Sequence, residues 1–130
     1  HCRLEILELP EQRLPESPVQ GEIDAALEKE AAAIREKLPK GCALVAMCIE
    51  GQLLSSEDLS RRLMRFSLEG KSHLVFLIGG SFGLHASLKA QADLRLSMSP
   101  MTFPHHLARV MLLEQLYRAY QIQEGTRYHK

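Results

Sequence analysis

His73-Leu74-Val75-Phe76-Leu77-Ile78-Gly79-Gly80-Ser81-Phe82-Gly83 runs from an apolar stretch straight into a cluster of glycines. The stretch reads as a strand buried on both faces, as in a parallel sheet, and the glycines as the turn that leaves it. Upstream, Cys42-Ala43-Leu44-Val45-Ala46-Met47-Cys48-Ile49 is a second apolar run, too short for a good helix and followed by Glu50-Gly51. Between the two, Ser55-Ser56-Glu57-Asp58 has the form of a helix start, with an acid three places after Ser55 and acidic charge at the positive end of the helix. Leu59, Leu63 and Phe66 form the buried stripe of that helix, and Gly70 ends it.

Working outward, Ile23, Ala26, Leu27, Ala31, Ile34 and Leu38 follow helical spacing from Glu22 to Leu38, closed by Pro39. A short helix is expected near Leu84–Ala92, a third strand at Leu94–Met98, and a last helix to about Gln123 with Pro104 in its first turn. Its stripe is read as Leu107, Val110, Met111, Leu116, Tyr117 and Tyr120, widened by Leu112 and Leu113. At the front, Leu4-Glu5-Ile6-Leu7-Glu8-Leu9 alternates like a strand, ended by Pro10, and residues 10–21 read as a surface loop. Alternating strands and helices define an α/β domain with a parallel sheet, in which ligands sit at the carboxyl ends of the strands. Three loops leave those ends: Glu50–Ser55, Gly79–Gly83 and Met98–Phe103.

The chain has 130 residues, which fits one domain and leaves no room for two full-sized ones. Its apolar fraction of 45% and charged fraction of 25% are those of a folded soluble protein. No apolar run approaches the roughly 20 residues of a spanning helix, so no membrane is expected. With three cysteines and no secretion signal, a reducing cytoplasm is the expected compartment. Sixteen basic side chains balance sixteen acidic ones, which argues against global capture of nucleic acid. The balance is uneven, however: residues 1–40 carry net −3 and residues 105–130 net +2, so an anionic partner would prefer the C-terminal end.

Several motifs fall short of familiar chemistry. Gly79-Gly80-x-x-Gly83 is not the Gly-x-Gly-x-x-Gly of a dinucleotide site. Gly70-Lys71-Ser72 lacks the upstream glycine of a phosphate loop and precedes a strand. Ser81 is one place out of register for a nucleophile elbow. Cys42 and Cys48 share a strand face at a spacing unsuited to zinc, and read as small core residues. His105-His106 has no glutamate spaced for a metalloprotease; one is expected to pack or cap and the other to be solvated, with no metal. Two features stay open to a functional reading. The glycine cluster is either a tight turn or a backbone cradle for a ligand. The proline-interrupted, sulfur-bearing segment Leu96–His105 is either a packed linker or one wall of a site for a flat aromatic ligand.

Phe76-Leu77-Ile78-Gly79-Gly80-Ser81-Phe82-Gly83-Leu84, then Leu96-Ser97-Met98-Ser99-Pro100-Met101-Thr102-Phe103-Pro104-His105, then Leu116-Tyr117-Arg118-Ala119 and Tyr128-His129-Lys130 together resemble the ribosomal RNA large-subunit methyltransferase H family of the SPOUT superfamily. The likeness covers essentially the whole chain. It implies one SPOUT-type domain over residues 1–130, an α/β fold with a C-terminal trefoil knot, and the knot and cofactor site within about residues 73–130. Such a knot is an exception to the usual rule for chain topology. Family members start with a further strand and helix ahead of the segment matching Leu4–Leu9, and this sequence has no counterpart of either.

The resemblance further implies a cytoplasmic homodimer that binds S-adenosylmethionine and methylates N3 of a pseudouridine in 23S ribosomal RNA on the ribosome. By position, the cofactor contacts fall on Met47, Gly79, Met98, Ser99, Pro100, Met101, Thr102 and Phe103. Position 47 is more often leucine in the family, a small change of similar volume. The catalytic candidates are His129 as base, with Arg118 and Tyr128 positioning RNA or stabilising an enolate-like oxygen. The apolar face around Val110, Leu112, Leu113 and Leu116 is the expected dimer contact. Competing readings are an enzyme of the same class acting on another RNA such as transfer RNA, and a non-catalytic nucleotide- or ribosome-binding module.

Overall fold

A short apolar run suits the middle of a sheet, and Ala43–Ala46 of the run Cys42–Ile49 are buried there, whereas Ile49 at its end is exposed. The computed structural model of the chain describes residues 2–130. Strand β1 (Ala43–Leu53) lies between β2 (Leu74–Leu77) and β3 (Leu94–Ser97), with both neighbours parallel to it. Its even-numbered Leu44 and Ala46 pack with Leu77, Leu84 and Leu88 against helices α1 (Gln20–Lys37) and α3 (Ala86–Gln91). Its odd-numbered Ala43 and Val45 pack with Leu94 and Leu96 against α2 (Ser56–Leu68) and α4 (His105–Glu124), through Leu59, Leu63, Phe66 and Ala119. The result is the expected α/β architecture, a parallel sheet with helices on both faces.

Register sets the working edge of this sheet. Ala46 lies opposite Leu77 and Met47 opposite Leu96, so the three strands finish at nearly the same level. β1 then bulges over four residues and resumes with Gln52 opposite Leu96 and Leu53 opposite Ser97. The bulge brings backbones together at Gly51, where a Cβ would lie 2.8 Å from the main chain of Arg95 and Leu96. The expected loop Glu50–Ser55 is therefore mostly strand, because bare Gly51 lets β1 continue across β3.

Other expectations need correction. Leu4–Leu9 belongs to no strand or helix, and Leu4 and Ile6 are 60% and 50% exposed. Alternation does not by itself supply a partner, and among the described residues the segment pairs with no strand. The segment instead follows α4, with Cys2 beside Tyr120 and Glu8 ion-paired to Arg109 at 2.6 Å. Pro104 is the N-cap of α4, one place before its first turn. Cys42 and Cys48 are only half-buried, since they sit where β1 enters and leaves the core, and burial pushes the Cys48 thiol upward. His105 and His106 are both exposed and rest ring against ring at 4.1 Å, so neither packs nor caps.

The stripe on α4 is also rotated from the expected one. Ser60 Oγ donates to the Ala119 carbonyl at 2.7 Å, and Ser56 Oγ to Gln115 Oε1 at 2.6 Å. An advance of four residues on α2 thus matches four on α4, so the helices run parallel and in step. Leu112, Leu116 and Ala119 face inward, while Leu107, Val110 and Tyr117 are exposed. Leu112, at 4% exposure, is core and cannot be dimer surface, whereas Val110 is 61% exposed. Because Gln115 is level with the first residue of α2, the first ten residues of α4 reach about 15 Å past that point.

Candidate active site

The glycine turn is built by close backbone approach. Gly83 takes a left-handed φ of +77°, its N–H donates to the Gly80 carbonyl at 3.0 Å, and the pair bridges Gly80 to Gly83. A Cβ on Gly79 would collide with the Gly83 carbonyl group and lie 2.8 Å from its Cα. The turn therefore needs glycine for its own geometry, and Gly79 and Gly80 carry no side chains at the end of β2, with the Glu11 side chain lying against Gly80. Across the sheet, β3 runs into Met98–Phe103, where Ser97 Oγ donates to the Ser99 carbonyl and Ser99 Oγ accepts from the Met101 N–H at 3.0 Å. These side-chain bonds stiffen a loop that already holds Pro100.

Met47, Gly79 and Met98 thus stand at the carboxyl edge of one sheet, with β1 between the other two. Two strand spacings separate β2 from β3, about 10 Å. Ser99, Pro100, Met101, Thr102 and Phe103 follow Met98 in a single loop, with Met98 and Phe103 half-buried and Met101 71% exposed. Apolar side chains beside bare main chain suit a flat ligand with polar edges. A cavity of about 360 Å³ adjoins Gly80, Ser81 and Phe82 on the far side of the turn, walled by Glu11, Pro15 and Ala26. It includes no residue of the Met98–Phe103 loop.

The tail candidates come together on α2 and α4. After Gly125 caps α4 in the left-handed conformation, residues 126–130 double back along the helix. Arg118 donates to Glu114 through Nε at 3.2 Å and through Nη2 at 2.8 Å, and stands 4.8 Å over the Tyr128 ring. Tyr128 donates its hydroxyl to Glu114 at 2.7 Å and meets Tyr117 edge to face. His129 Nδ1 lies 3.1 Å from Arg118 Nη1, and its Nε2 contacts the Glu57 carboxylate. All three catalytic candidates are in one cluster. Glu57 and Glu114 are additions that the sequence does not point to: Glu57 reads only as part of a helix start, and nothing local ties it to a residue 72 places away. Glu57, the second residue of α2, lies four residues after Leu53, itself paired with Ser97, so the cluster borders the same edge as the Met98 loop.

Among the described residues no group of three His, Cys, Asp or Glu side chains is placed to hold a metal ion, and no helix is long and apolar enough to cross a membrane. The electrostatics of the tail are carboxylate-driven. Arg118, and then Tyr128, hold the Glu114 carboxyl below its ordinary range, and His129 does the same for Glu57. Hydrogen bonding to Glu114 raises Tyr128. Groups whose folded pKa is depressed stabilise the docked tail above the unfolded carboxylate value of about 4.3, and lose that effect as pH falls through the lower folded value. The tail is expected to stay docked at pH 5 and to release well below pH 4. With three tyrosines and no tryptophan, tyrosine fluorescence reports this directly, and a release centred near neutral pH would contradict it.

A parallel α/β sheet with a glycine turn and a stiffened loop at its carboxyl edge is the class of scaffold that binds ligands beyond its strand ends. Residues 1–129 match the family described as "Predicted SPOUT methyltransferase", and the chain belongs to the SPOUT methyltransferase family of enzymes. It is 42% identical to the ribosomal RNA large subunit methyltransferase H of Acetivibrio thermocellus, over all of this chain and 82% of that protein. It is likewise 45% identical to the protein of that name from Moorella thermoacetica, over all of this chain and 81% of the relative. For the Clostridioides difficile protein the identity is 43%, over all of this chain and 82% of the relative. The resemblance drawn from the glycine, methionine–proline and tail motifs is borne out.

Proposed function

We propose that this enzyme methylates N3 of a pseudouridine in 23S ribosomal RNA, with S-adenosylmethionine as donor. The observation that supports the reading is the clustering of Arg118, Tyr128 and His129 against Glu57, whose helix follows the strand end paired with Ser97 just before the Met98 loop. Bound there, the donor supplies an electrophilic methyl group. Main-chain groups of Gly79 and of Met98–Phe103 read the adenine edge, while Met47, Met98 and Phe103 flank the ring. The imide nitrogen to be methylated carries a proton and is a poor nucleophile until it loses it. Arg118 keeps N–H groups beyond those given to Glu114 and His129, and these stabilise the oxygen on which the charge develops. His129 accepts the proton, and Tyr128 supports the guanidinium from below.

The domain spans residues 1–130, with a trefoil knot and the donor site within about 73–130, in a cytoplasmic homodimer. The projecting start of α4, with Leu107 and Val110 exposed, is the dimer contact in this reading. Net charge is zero, whereas phosphate contacts dominate affinity for free RNA. The assembled ribosome is therefore the substrate. Incubation with unmethylated ribosomes, followed by mass spectrometry of the nucleosides, should reveal methylated pseudouridine at far higher yield than from a short protein-free hairpin. Equal turnover on the hairpin, or methylation of transfer RNA in its place, would overturn the assignment.

A further inference from the structure

The partners of His129 assign a tautomer to its neutral ring. Arginine has only donors, so the Nδ1 facing Arg118 Nη1 at 3.1 Å must accept and is bare. An ionised carboxylate has only acceptors, so the Nε2 facing Glu57 carries the hydrogen. Glu57 is itself anchored in the first turn of α2, whose N-cap Ser55 accepts from the Asp58 N–H at 3.0 Å. The helix start and the Ser60–Ala119 bond together fix Glu57 relative to Arg118.

We propose that Glu57 is a positioning residue for the methyl transfer: it holds His129 as the Nε2–H tautomer, with Nδ1 aimed at the guanidinium that receives the substrate oxygen. The inference rests on the functional reading above and deepens it. When the base oxygen takes the Arg118 N–H, Nδ1 is released beside the adjacent imide N–H. The N3–H bond breaks, its proton goes to Nδ1, and its electron pair stays on N3 to form the new N–CH3 bond as the donor's S–CH3 bond breaks. The imidazolium, still donating through Nε2 to Glu57, afterwards returns its proton to water. Glu57 never touches substrate; its carboxylate orients the ring and stabilises the cation, as an orienting acid does beside any histidine base.

Glu57→Gln is expected to lower single-turnover kcat on unmethylated ribosomes by about 10- to 100-fold, with the KM for S-adenosylmethionine unchanged. Glu57→Asp should recover most of the loss. Imidazole 15N spectra of the wild-type chain, with His129 assigned by His129→Gln, should show a protonated Nε2, a bare Nδ1 and a downfield ring proton that moves upfield in Glu57→Gln. A wild-type His129 protonated on Nδ1, or a Glu57→Gln chain within twofold of wild-type kcat, would overturn the proposal. If the wild-type chain transfers no methyl group but the spectra are as described, the orienting contact stands and the reaction assignment alone fails.

Discussion

Gly79→Ala is expected to weaken binding of S-adenosylhomocysteine by about 30-fold or more, the equivalent of roughly 2 kcal/mol. The added Cβ meets backbone, not a side chain that can swing away: the Gly83 carbonyl group and a Cα at 2.8 Å. Relief requires the turn to open, which displaces the main-chain groups that the donor is proposed to contact. The turn closes on itself through the 3.0 Å bond from Gly83 to Gly80, so the damage should stay local to the end of β2. Calorimetry of donor-product binding beside thermal melting separates lost binding from lost fold. Gly21→Ala is the control, because its Cβ would meet nothing within 4 Å and α1 should gain slightly in stability. Unchanged affinity in Gly79→Ala would remove the glycine turn from the site.

Arg118→Ala should lower kcat by about 100- to 1,000-fold, the range seen when a donor aimed at developing negative charge is removed. The side chain is tied at three points, to Glu114 twice and to His129 once, and it stacks on Tyr128. Its aim is therefore set before substrate arrives, which is what makes such a group effective. Donor affinity should change by less than about twofold, since no proposed donor contact involves it. Arg118→Lys retains a positive charge but not the planar fork, and should recover little activity. Single-turnover methylation of unmethylated ribosomes measures both variants. A loss confined to KM for ribosomes would make Arg118 an RNA-binding group only.

Much of the scaffold was legible because it depends on local periodicity and composition. The run Cys42–Ile49 reads as a strand and its Ala43–Ala46 are buried, Ser55 announces its own cap, and Leu59, Leu63 and Phe66 are buried as their spacing implies. The failures come where tertiary partners decide. Leu4–Leu9 has the pattern of a strand but no neighbour to pair with. On α4 nearly every turn offers apolar residues, so only the step-by-step match with α2 settles that Leu112 and Leu116 turn inward and Val110 outward. Gly51 gives no hint of how closely β1 passes Arg95. The tail cluster was half visible: Arg118, Tyr128 and His129 stood out by resemblance, but Glu57 and Glu114 are ordinary surface acids until the chain doubles back at Gly125.

The account depends most on where the donor binds, and the five methionines report on that from inside the molecule. With 13C-methyl methionine incorporated, titration with S-adenosylhomocysteine should shift the resonances of Met47, Met98 and Met101, which line the carboxyl edge and its loop. Met64 on α2 and Met111 on α4 should stay in place. Shifts at Met64 or Met111 with Met98 and Met101 unmoved, or no shift at any of the five, would contradict it.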